Sequence, residues 1–107
     1  MEESLNEVAK LRIRMQNLAK AEEALTIGVE AFLTRWEKLC LVLKEPSKAS
    51  REAILGSRAD AYEALREALE SQSKVEHERS HLPESLGSLL LDLENSFKRY
   101  LVNEKAS

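Results

Sequence analysis

The residues best equipped for chemistry lie in the run His77-Glu78-Arg79-Ser80-His81, which matches the HExxH pattern of zinc peptidases. On a helix the two imidazoles would share a face one turn apart and could hold zinc, with Glu78 placed as general base for the bound water. Glu94 or Glu104 could be offered as a third ligand. The surroundings argue against that use. Arg79 sets a cation beside the metal position, Pro83 interrupts the helix two residues after the second histidine, and nothing suggests the edge strand that holds a peptide substrate. The stretch from Glu70 to Ser80 is polar apart from Val75, so no dry surroundings exist to orient the rings. Two exposed histidines near a helix end are the expectation. No catalytic residue, metal ligand or cofactor is assigned, and a small zinc-dependent hydrolase using His77, Glu78 and His81 is kept only as the alternative function.

No second constellation competes with it. The serines belong to helix caps and polar faces, and neither a Gly-rich phosphate loop nor a nucleophile elbow is present. The single cysteine, Cys40, has no internal partner for a disulfide, and its setting in Leu39-Cys40-Leu41-Val42-Leu43 reads as core rather than nucleophile.

The elements that carry these residues are helices. Among 107 residues there are 3 Gly and 2 Pro, while Ala, Leu, Glu, Lys and Arg, which lose little rotamer freedom in a helix, dominate. Period-two alternation and Asn-Gly or Asp-Gly turns are missing, so no sheet is expected. Ser4-Leu5-Asn6-Glu7 fits a capping box. From there apolar residues step by three and four through Val8, Leu11, Met15, Leu18, Leu25, Val29, Phe32, Trp36, Leu39 and Leu43, broken only at Glu22. Pro46 ends that pattern, which predicts a first helix over residues 4–44. Ser47 or Ser50 can cap a second helix over about 48–79, with a weaker seam through Ile54, Leu55, Ala61, Tyr62, Leu65, Ala68, Leu69 and Val75. Leu82-Pro83 closes it, and Leu86, Leu89, Leu90, Leu93, Phe97, Tyr100 and Leu101 stripe a third helix over about 84–104.

Short connections place successive helices side by side, so the expected fold is all-α, a three-helix antiparallel bundle or coiled coil forming one domain over residues 1–107. In length and three-helix layout this is similar to a spectrin-type repeat. Trp36, the only Trp, falls late in the first helix where that family carries an early one, so no residue role is carried over. Gly28 in mid-helix is expected where another helix approaches closely.

Charged residues make up 33% of the chain with a net charge of −3 and both signs interspersed, which disfavours nucleic acid as a partner. No apolar run approaches the ~20 residues of a membrane span. The first residues, Met-Glu-Glu-Ser, are acidic with no apolar signal core behind them, so the expected location is the cytoplasm or the nucleus. No small-molecule substrate is indicated. The expected function is that of a non-enzymatic protein-protein interaction module, an adaptor, scaffold domain or complex subunit that packs helices with another protein or with itself. Helix lengths predict that the third helix stops near Thr34, leaving Leu33, Trp36, Leu39, Cys40, Leu41 and Leu43 as the candidate partner surface. Far-UV circular dichroism should report a helical content above ~70%, about twice what a typical globular domain contains; a spectrum dominated by strand or coil would overturn the fold class.

Overall fold

A computed structural model describes residues 2–106, with the side chains of residues 2–104. Helix α1 spans Glu2–Lys44, a 3-10 turn covers Pro46–Lys48, α2 spans Arg51–Ser80 and α3 spans Leu82–Ala106. No strand occurs among the described residues.

The helix ends follow from local chemistry. α1 begins at Glu2, two residues before the expected cap, so Ser4 lies inside the first turn, where Glu2 and Glu3 oppose the positive end of the helix dipole. Pro46 cannot donate to the ladder, and the chain tightens instead into a turn in which the Lys48 N–H reaches the Glu45 carbonyl at 3.1 Å. Of the two candidate caps for α2, Ser50 is the one used. Its Oγ accepts the Ala53 N–H at 3.1 Å, satisfying one of the orphan donors of the first turn.

The passage from α2 to α3 departs most from expectation. One residue, His81, separates the two helices, which is too short a connection to reverse the chain. Pro83 at the second position of α3 has no N–H to give, and its ring crowds the preceding turn, so the helix bends and does not turn back. The His81 N–H makes a stretched 3.4 Å bond to the Glu78 carbonyl, whereas regular pairing has resumed by Ser85, whose N–H meets the His81 carbonyl at 3.1 Å. The molecule therefore has two long helices, the second of them bent. The expected three-helix antiparallel bundle, and with it the spectrin-type layout, is not what forms.

Contacts within the chain gather into two units. One comprises Ala19–Glu76, in which α1 and α2 pair without a third helix. The other joins the stretch of α1 up to Leu18 to the residues from His77 onward. In this second unit Leu18 is buried, and Leu11 is half-buried with Leu82, Ser85 and Leu89.

Within Ala19–Glu76, α1 turns Ala21, Leu25, Gly28, Phe32, Leu39 and Val42 inward, and α2 answers with Ile54, Ser57, Ala61, Ala64, Ala68, Ser71 and Val75. Most of the α2 set is small. At Gly28 an added Cβ would stand 3.4 Å from the Ala68 Cα, so the two backbones approach closely there, as the position of this glycine implied. Helices so close have no room between them for Trp36 or Val29. The seam keeps Leu25, Phe32 and Leu39 from the expected set, but Ala21, Gly28 and Val42 turn inward where Val29, Trp36 and Leu43 were expected. With half its positions moved by one residue, the seam is rotated by roughly 50° about α1.

The 3.4 Å spacing just accommodates a methyl group. Gly28→Ala should leave stability unchanged or raise it by up to ~1 kcal/mol through helix propensity, whereas Gly28→Leu should force the helices apart and cost about 1–3 kcal/mol. Urea unfolding of the two variants measures both; an alanine that destabilises as much as leucine would mean the approach is tighter than described.

Candidate functional site

Trp36 stands on the flank of α1 that the rotated seam leaves uncovered, 48% exposed and stacked on Phe32 with ring centroids 6.3 Å apart. The heptad spacing places Val29 and Leu43 on the same line as Trp36, with Leu33 one step further round. The facing flank of α2 carries Leu65, with Leu55, Tyr62 and Leu69 spaced by seven beside it. Between them lies an apolar groove of about 370 Å³, floored by Phe32, Leu39 and Ala61 and walled by Trp36, Leu43, Tyr62 and Leu65. Arg58 closes its rim, its guanidinium 5.3 Å from the Tyr62 ring centroid in a cation–π contact.

The opposite flank of the same pair is different in kind. There Asp60, Glu67 and Lys74 follow one another at spacings of seven along α2, with Lys38 on α1. Arg35 lies against Asp60, Glu63 and Glu67, and donates from Nη1 to the Ala31 carbonyl at 3.1 Å. One side of the hairpin is therefore lined with charge along α2, whereas the other is apolar at its centre and carries charge only toward its two ends.

The six candidate partner residues divide on this frame. Trp36 and Leu43 line the groove, and Leu39 is buried beneath them at 6% exposure, acting as floor and not as contact surface. Leu33 borders the same flank. Cys40 is exposed, which corrects its reading as core. Leu41 is exposed as expected but lies elsewhere, in a shallow depression with Thr34, Val42 and Ala49 beside the connecting turn. Phe32, Arg58, Ala61, Tyr62 and Leu65 also line the groove and are not among the candidates selected from the sequence. The apolar ones read there as core, and Leu55 and Leu69, seven residues either side of Tyr62, were the available signal for the α2 wall.

The unit built from the chain ends shows the same contrast on its own terms. α3 leaves Leu86, Leu90, Leu93, Phe97 and Tyr100 exposed along one stripe, while a shallow cleft elsewhere is lined by Glu3, Asn6, Glu7, Lys10, Ser88 and Asp92.

His77 and His81 do meet. Their rings stand edge to face at 89°, with the two Nε2 atoms 3.3 Å apart, one of them donating and the other accepting. That separation is close to the ~3.3 Å between two nitrogens on a tetrahedral zinc. The third ligands offered by the sequence do not stand beside them. Glu94 lies thirteen residues along α3 from His81, roughly 20 Å at helical rise, and Glu104 lies further still. Among the described residues no group of three or more His, Cys, Asp or Glu is arranged to hold a metal ion.

Among the described residues, no helix is long and apolar enough to cross a membrane. Comparison of the chain with protein-family models, with curated proteins and with solved structures gave no match.

Purified protein should carry no stoichiometric zinc by elemental analysis, and its melting temperature should not move when a chelator is added. A one-to-one zinc content with a chelator-sensitive melt would restore His77 and His81 as ligands.

Proposed function

We propose that the chain is a non-enzymatic interaction module whose apolar flank, centred on Trp36, receives helices from another molecule. The observation that carries this reading is the groove between α1 and α2, apolar on its floor and walls, with a half-exposed Trp at its edge. A Trp with Leu and Tyr neighbours, bordered by an Arg, has the composition of an interface hot spot. The sequence calls for more helices against this seam than the hairpin supplies, and on the proposed reading the bundle is completed in trans, with the partner's helix lying where the third helix was expected. An adaptor, scaffold domain or complex subunit of the cytoplasm or nucleus fits this mode of action. The interspersed charges and net charge of −3 favour a protein partner over nucleic acid.

Trp36→Glu tests the reading. The variant should keep its helical circular dichroism, because Trp36 is outside the seam, and should lose association with whatever the native chain binds, followed by capture from the source cell and by mass in solution. Leu41→Glu, away from the groove, should retain it. Association unaffected by Trp36→Glu would remove this flank as the binding surface.

A further inference from the structure

We infer that the occupant of the groove is a second copy of this chain, the two α1–α2 hairpins packing face to face with their helices antiparallel across the interface. This rests on the reading of the flank as a binding surface and adds the partner to it.

Eight large apolar side chains on this flank are each 37–59% exposed, which amounts to roughly 700 Å² at the size of such side chains. A monomer's largest apolar patch is ~300–600 Å², whereas a stable pairwise interface takes ~800 Å² from each partner. The patch thus exceeds what a monomer ordinarily leaves open and approaches one side of a standard dimer interface.

A dimer about a two-fold axis uses the same patch twice, so the patch must complement itself. Both helices contribute to this one, each with large side chains repeating at seven: Val29, Trp36 and Leu43 on α1, and Leu55, Tyr62 and Leu69 on α2. Two such faces make a four-helix arrangement in which every apolar line meets another.

Charge sets the orientation. Along the flank, Arg51 and Arg58 lie toward the end where α1 and α2 are joined, and Glu22 and Glu76 lie toward the other end. A two-fold axis across the helices near Phe32 and Ala64 brings the basic end of each copy over the acidic end of its mate. An axis along the helices would stack like on like, which opposes association. The favoured arrangement therefore crosses the two copies of α1 in opposite directions.

The test is sedimentation equilibrium of the intact chain over a dilution series, with helicity monitored in parallel. The native chain should show twice its chain mass at high concentration and dissociate on dilution. Trp36→Glu should weaken this at least ~30-fold, as loss of a hot spot does. Arg51→Glu guards against a trivial loss by unfolding, since an acid in the first turn of α2 favours the helix; it too should weaken the dimer while its helicity equals that of the native chain at concentrations where both are monomeric. A native chain that stays monomeric up to ~1 mM, the weak end of the affinity scale, overturns the inference, as does a dimer that Trp36→Glu leaves intact. In the monomeric case, capture of another protein that Trp36→Glu abolishes leaves the interaction module standing with a different partner. A monomer that captures nothing removes both.

Discussion

Small side chains where α1 and α2 meet govern much of what the rest of residues 19–76 can do. Gly28 and the alanines at 61, 64 and 68 let two backbones approach closely, and the short distance then selects which neighbours fit between the helices. Leu39 and Phe32 fit; Trp36 does not. Every larger residue on the adjoining line is displaced to the flank, so the exposed apolar face and the tightness of the seam are two aspects of one packing choice. Burying Trp36 within the seam would require the helices to separate and the contacts around Gly28 to be given up.

Much of this was legible in the sequence, though unevenly. The helices were, because few residues in the chain disfavour one and the prolines and Ser50 mark where a helix must pause or start. The direction faced by α1 was not. Reading a seam from large apolar residues gives weight to Val29, Trp36 and Leu43, whereas the structure ranks positions by how closely backbones can approach, and in a list of hydrophobic residues Ala21 and Gly28 count for little. Leu82-Pro83 posed a different difficulty. Proline in the first turn of a helix is compatible both with a chain reversal and with a bend, and only the one-residue spacing at His81 decides between them.

The candidate site shows the same division. Trp36, Leu39 and Leu43 were found from α1 alone, since that helix carries a continuous apolar pattern. Leu41 was placed on the outer face of the same segment, and it is exposed there, but two residues along a helix point to different sides and it does not reach the groove. Tyr62 and Leu65 belong to the same groove and were assigned to the core, because a weak pattern on α2 did not reveal that its alanines would fill the middle of the seam. The HExxH match illustrates the converse: spacing brought the two imidazoles together at 3.3 Å, but the remaining requirements of a metal centre depend on distant parts of the chain, which local spacing does not fix.

The two flanks of the hairpin differ in chemistry, with Lys38, Asp60, Glu67 and Lys74 on one and apolar residues on the other. A body that is adhesive on a single side can join another only once before the adhesive surface is used up. On the proposed reading, pairing through residues 19–76 would therefore close on itself, since a filament requires two complementary sticky surfaces on each subunit. The charged flank would act as a stop for this pair of helices, ending growth through them once the apolar flank is covered.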